Sequence, residues 1–255
     1  MVLVFSFGAR HPAGGYQPAF TIANYLNLPA RATAFKNTLV LAPIGTLICL
    51  FAAYPLAYFL ALKASGRLKM FLLILVILPF WSSFLLRTYA WIFILGARGL
   101  PAFLADFGIE GVRLINTPGA VLTGIVYGYL PLMIFPIYVS LEKLDKRLLE
   151  ASGDLYASPW RTFLQVTLPL SAPGMITGCM LVFILLMGEY LIPQLLGGGK
   201  VFFIGNALVD LFLQSRNWPF GSAVAVTLVI VMLVVIGASL HLTRRWTGQR
   251  DVSVI

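Results

Sequence analysis

Five long apolar runs, each able to cross a bilayer, constrain this chain more than anything else in it. They cover residues 35–62, 68–95, 119–141, 170–192 and 219–243. The hydrocarbon core of a membrane is about 30 Å thick, so a helix needs about 20 apolar residues to cross it. Backbone groups in lipid must bond internally. The runs lack the alternation of barrel strands and are too long for them, so helices are forced. Composition agrees. The chain is 60% hydrophobic and 11% charged, whereas a soluble domain carries about 25% charged residues. One soluble core could not hide that much apolar surface. The fold class expected is all-α, a polytopic helical bundle with five visible transmembrane helices.

The formal charge of +9 raises the question of nucleic acid. No basic run interleaved with aromatics stands outside the apolar spans, so no nucleic-acid partner is expected. Basic residues instead gather in three regions. The linker KASGRLK holds Lys63, Arg67 and Lys69, the 142–169 loop holds Lys143, Lys146, Arg147 and Arg161, and the tail holds Arg244, Arg245 and Arg250. Five alternating spans put these on one side, with ten of the eighteen basic residues. That side is predicted to be cytoplasmic, and with it the C-terminus. Arg98, Arg113, Lys200 and Arg216 fall in the opposite loops, and Arg10 and Arg31 in the first 34 residues. The domain reading is therefore an extracytoplasmic segment over 1–34, a transmembrane domain over 35–243, a cytoplasmic loop within it at 142–169, and a cytoplasmic tail over 244–255.

Cys49 and Cys179 lie inside apolar runs and read as packed thiols, and His11 and His241 stand far apart, so no metal site is expected. MVLVFSF is apolar but short, with no basic residues before it, unlike a complete signal peptide. Pro43, Pro55, Pro79, Pro131 and Pro136 fall within spans and predict kinks. Gly124 and Gly128, four apart, predict close helix approach. Residues 193–218 do not make a sixth span. PQLLGGGK reads as a flexible glycine-rich turn, and 201–214 as a short helix at the outer surface. GGGK at 197–200 is not a phosphate-binding loop, because Val201 stands where Ser or Thr is needed and the first glycine is missing.

The 142–169 loop is the polar exception between two greasy spans. LDKRLLEASGDLYA predicts a short helix with its charges in water. Ser158 before Pro159 is a helix start, a hydroxyl cap followed by proline at the first position. PWRTFLQVTL predicts a second short helix, ended by Pro169, with Pro173 opening the next span. Two short helices at an angle make a knob that presents Leu155, Tyr156, Trp160 and Phe163 on a surface too polar for lipid. Apolar groups rimmed by charge point to a protein partner; a loop helix packed on its own bundle is the alternative.

Here the sequence resembles a family. Inner-membrane permeases of ABC importers carry a cytoplasmic pattern: Glu-Ala-Ala, three residues, Gly, nine residues, Ile-x-Leu-Pro. This chain has Glu150, Ala151 and Ser152, then Val166, Thr167, Leu168 and Pro169 at the matching spacing, with Tyr156 at the glycine position. A tyrosine there must either take an unfavourable backbone angle or shift the bend. The stretches 77–91, 126–152 and 216–228 are similar to the spermidine/putrescine permeases of the family, which usually have six spans; MVLVFSF would be the remnant of the first.

The resemblance implies an importer of two different but related permeases (a heterodimer), two cytoplasmic ATP-binding subunits that hold ATP and Mg²⁺, and an extracytoplasmic solute-binding protein. This chain would carry no cofactor and no catalytic residue, and would sit in the bacterial inner membrane. Its coupling residues would be Glu150, Ala151, Asp154, Leu155, Tyr156, Ala157, Trp160 and Pro169. For the solute path, Glu189 is the only acid read within a span, and an ionisable group there is a functional candidate by default. A polyamine would be met by carboxylates and aromatic faces, here Glu189, Tyr190, Trp81, Tyr127, Tyr129 and Asp210. Alternatively Glu189 pairs with Arg87 or Lys200 near the outer interface, and Arg87 snorkels there. Another solute (opine, phosphonate or iron) and a gradient-driven secondary transporter are the other readings; the latter would need inverted repeats and buried charge relays. A membrane enzyme would need clustered catalytic groups.

Overall fold

The structure is a computed structural model that describes residues 1–248, with side chains through His241. The predicted tail at 244–255 falls outside the described side chains, including Arg244, Arg245 and Arg250.

In chain order, a one-turn helix α1 (Val2–Phe5) precedes a two-residue antiparallel ladder, β1 (Ala9–Arg10) with β2 (Tyr16–Gln17), and a second one-turn helix, α2 (Ala23–Leu26). A 3-10 turn leads into α3 (Ala32–Tyr58), which widens into a π turn over Phe59–Lys63. Next come α4 (Gly66–Trp81), α5 (Phe84–Leu95), α6 (Leu100–Asp106), α7 (Pro118–Glu142) and α8 (Lys146–Asp154). The short α9 (Pro159–Thr162) runs through a π turn over Phe163–Thr167 into α10 (Leu168–Met187). Then follow α11 (Leu191–Leu196), α12 (Ile204–Val209) with a π turn over Asp210–Gln214, and α13 (Trp218–Gly248).

Among the described residues, five helical segments are long and apolar enough to cross a membrane: Leu28–Lys63, Phe84–Asp106, Pro118–Glu142, Pro159–Met187 and Trp218–His241. Four corrections to the predicted elements follow. The run 68–95 is not one helix: α4 stops at Trp81 and α5 starts at Phe84. Pro79 is near the break, and Ser82 closes the end by donating both its N–H (3.2 Å) and its hydroxyl (2.8 Å) to the Pro79 carbonyl. In the fourth span, Pro169 ends nothing and Pro173 opens nothing, because both lie inside one continuous helix. A π turn over Phe163–Thr167 stands just before Pro169. Proline lacks an N–H and clashes with the carbonyl one α-turn back, and a wide turn takes up the local mismatch. That same span ends at Met187 and not at 192. Finally, PQLL belongs to the helix α11; the glycine turn is confined to 197–199, where Gly198 and Gly199 have φ of 54° and 77°.

The chain divides into two compact units, one of Met1–Thr38, Met187–Tyr190 and Phe202 onward, the other of Leu39–Leu186 and Leu191–Val201. In the first, α1, α2, β1 and α12 pack on α13. Phe5 stacks on Tyr16 at 4.4 Å, and Asn24 donates to the carbonyls of Ser6 and Gly8 at 2.9 and 2.8 Å. The ladder was not predicted. Its turn needs Gly14 and Gly15, both left-handed, and Gly15 donates 2.7 Å to the Arg216 carbonyl. On α13, Val229, Ile230, Leu233 and Val234 are exposed, as side chains facing lipid should be.

In the second unit α7 is the most buried of the five long segments. Val121, Ile125, Met133, Ile134, Ile137 and Leu141 are fully enclosed. Glycines set how near its neighbours come. A Cβ on Gly174 of α10 would lie 2.5 Å from the Pro136 carbonyl, and one on Gly178 would lie 2.8 Å from Met133 Sδ. Between membrane helices, where apolar burial gives no preference over lipid, such close van der Waals packing holds the bundle together. Tyr54 of α3 and Ser171 of α10 share a buried hydroxyl–hydroxyl hydrogen bond of 2.9 Å. Cys49 is buried and Cys179 half-buried, both as free thiols.

Candidate functional site

The knob begins where the sequence placed it. Asp145 caps α8 by accepting from the Arg147 N–H at 3.0 Å. Glu150, Ala151 and Asp154 are exposed along the helix and Ala157 is half-buried just beyond it. The helix closes in a Schellman motif: the Ala157 N–H donates to the Ser152 carbonyl (3.1 Å) and the Tyr156 N–H to that of Gly153 (2.9 Å). The residue between these bonds must turn left-handed, and Tyr156 does so, with φ of 55°. Of the two options open to a tyrosine at the family's glycine position, the strained angle is the one taken, and the bend stays in place.

Ser158 starts the next helix by accepting from the Arg161 N–H at 3.3 Å, with Pro159 in the first position. Ser152 and Thr162 join the two helices by a hydroxyl–hydroxyl hydrogen bond. Leu155 is 82% exposed, Tyr156 98% and Trp160 68%. Phe163 is not part of this surface. It turns inward, edge-on to Tyr54 (5.7 Å) and Tyr58 (6.2 Å), while Trp160 stacks on its outer side at 5.6 Å. Thr167 is buried and Pro169 half-buried in the helix beyond. The knob is thus an apolar tip on a polar stalk, rigidly rooted in its bundle.

Glu189 is buried, at 7% exposure, but it is not in a helix. It lies in the irregular break between α10 and α11. Irregular backbone at membrane depth is tolerated where protein buries it or a cavity wets it. Here α12 covers it: a Cβ on Gly205 would lie 2.4 Å from the Glu189 carbonyl oxygen, so only glycine fits. Asn206 donates 2.8 Å to the Tyr190 carbonyl and accepts 3.1 Å from the Phe203 N–H. The Tyr190 ring is exposed. Asp210, in the same unit, already holds Arg31 at 2.7 Å, both half-exposed. No sequence signal pointed to Gly205 or Asn206.

The remaining predicted path residues belong to the other unit and do not converge. Tyr127 and Tyr129 are two positions apart on α7, hence about 200° apart around it. Tyr127 meets Trp91 (5.5 Å) and Tyr129 meets Phe84 (6.2 Å). Trp81 is 82% exposed at the end of α4. The Arg87 guanidinium lies over Phe80 and Phe84, each at 5.5 Å, with its Nε and Nη1 buried and without a hydrogen bond.

Comparison with known proteins identifies the family. Residues 53–250 match the model of a family described as the binding-protein-dependent transport system inner membrane component. The spermidine/putrescine transport system permease PotB of Haemophilus influenzae is 44% identical over 241 residues, covering 92% of this chain and 84% of that protein. PotB of Escherichia coli is 43% identical over 237 residues, covering 91% and 86%. A crystal structure of a bacterial alginate ABC transporter, in complex with an alginate pentasaccharide-bound periplasmic protein, shares the fold. Its TM-score is 0.74 at 18% identity, over 89% of this chain and 84% of that one. The chain belongs to the family of binding-protein-dependent transport system inner-membrane components, and is a multi-pass permease of ABC importer type.

Proposed function

We propose that the solute carried is a polyamine of the spermidine/putrescine kind. The observation that carries this is the 44% identity, across 92% of the chain, to a spermidine/putrescine permease. The knob at 142–169 docks a cytoplasmic ATP-binding subunit, with Leu155, Tyr156 and Trp160 as its apolar tip and Glu150, Ala151, Asp154 and Ala157 around it. That subunit supplies ATP and Mg²⁺ chemistry, and this chain is not an enzyme. A second, related permease completes the path, and an extracytoplasmic solute-binding protein delivers the solute. The C-terminus is cytoplasmic on the distribution of basic residues. Glu189 and Tyr190 line the path: a buried carboxylate beside an exposed ring, fixed by Gly205 and Asn206, suits an ammonium group.

The test is ATP hydrolysis by the reconstituted importer with putrescine, spermidine, other small cations and acidic compounds supplied singly with the binding protein. Stimulation confined to polyamines is expected. Stimulation by a different class of solute would overturn the substrate reading.

A further inference from the structure

The second unit holds an apolar crevice of about 420 Å³, walled by the α3 end and its π turn, by α4 and by α7. Leu56, Phe59, Leu75, Pro79, Leu130 and Ile134 are among its lining residues, and Tyr127 brings the only polar atom of a side chain there. At about 30 Å³ for each water-sized group, it has room for roughly a dozen methylenes. Empty apolar cavities stay dry, so water is not the occupant. One end of it is basic. Lys63 follows Phe59 by one turn, and Lys69 precedes Leu72, another lining residue, by one turn. The Lys69 ammonium sits 5.4 Å over the Tyr138 ring and 2.6 Å from Glu142. That carboxylate offsets one charge only. Lys63 and Arg67 are exposed, and among the described residues neither has an ion-pair partner.

We infer that this crevice is a binding site for an anionic phospholipid, one acyl chain lying between α4 and α7 and the phosphate held at Lys63 and Arg67. Charge complementarity selects this occupant. A helix of a second permease would fill the apolar part and leave two cations at its edge unmatched, whereas an anionic lipid satisfies both parts at once. A basic pocket between transmembrane helices at the membrane surface is the arrangement that recognises such headgroups. The inference stands on the crevice and its rim, and does not depend on which solute is carried.

The experiment is native mass spectrometry of the full chain, with the subunits it binds, released from nanodiscs of equimolar phosphatidylglycerol and phosphatidylcholine. Retained phosphatidylglycerol should exceed phosphatidylcholine on the order of tenfold. The double change Lys63→Gln with Arg67→Gln should bring the ratio close to one, and Leu130→Trp, which fills the crevice, should lower the number of lipids retained. Removing equal charge elsewhere, by Arg98→Gln with Arg113→Gln, should leave the ratio unchanged. The inference is overturned by equal retention of the two lipids, by an unchanged ratio in the Lys63/Arg67 variant, or by an equal fall in the control. It also fails if a cysteine at Leu75 cross-links to a second permease.

Discussion

Tyr156 holds a left-handed backbone with its ring in solvent, so its side chain gains nothing inside the chain to offset the strain. For L-residues that conformation costs roughly 1–2 kcal/mol, which glycine avoids. Tyr156→Gly should therefore stabilise the end of α8 by about 1 kcal/mol. Hydrogen exchange would show it, as slower exchange at the Ala157 amide that bonds to Ser152. If the amide exchanged faster, the strain argument would be wrong. A residue kept against its own backbone preference has its use elsewhere, which suits a ring reserved for a partner. Glu189 carries the other residue-scale prediction. Glu189→Gln retains the shape and removes the charge. A charge-assisted hydrogen bond is worth about 1.5–3 kcal/mol, so spermidine uptake should fall roughly tenfold or more. Unchanged transport and affinity would sink its place in the path.

Between elements, α11 lies in a notch cut into α7 by Gly124, whose added Cβ would fall 2.5 Å from Leu196 Cδ1 and 3.0 Å from Ile192 Cγ2. Gly124→Ala should destabilise by roughly 1–3 kcal/mol through overpacking. Combining it with Leu196→Ala should recover part of that loss, as a double-mutant cycle on melting temperatures would read. Additive effects would mean that the two side chains do not meet. The small-residue spacing of Gly124 and Gly128 was legible in the sequence, but its partner was not. PQLL looked like loop because four residues that open with proline and stand beside three glycines make no helical period. The Ser82–Ser83 break was likewise hidden, since apolar residues flank the two serines on both sides and hydropathy has no period to lose. The π turns left no mark at all; Pro169 marks a helix end by local rules, yet the helix runs through it behind a wide turn. Caps, by contrast, depend on one side chain and its neighbours, and that of Ser158 stands where residue types predicted.

For the whole molecule, membrane residence was readable from run length alone, because the thickness of the bilayer is an external ruler. Placement of the path was not, because a path is formed by residues remote in sequence, and Tyr127 and Tyr129 face different neighbours. The assembly can be probed at the knob. Buried aromatic and aliphatic anchors dominate interfaces, at about 2 kcal/mol or more each. Leu155→Ala with Trp160→Ala should therefore cut co-purification of the ATP-binding subunit by more than about tenfold, with the permease still folded. Undiminished recovery of that subunit would place the docking surface elsewhere. The continuity of α9 into α10 then has a mechanical meaning. Pro159–Met187 is one rod of 29 residues, about 43 Å at 1.5 Å per residue. Trp160 stands at one end of this crank and Glu189 follows the other by two positions. Over that length a tilt of about 5° swings the far tip by about 4 Å, so a small stroke at the handle suffices.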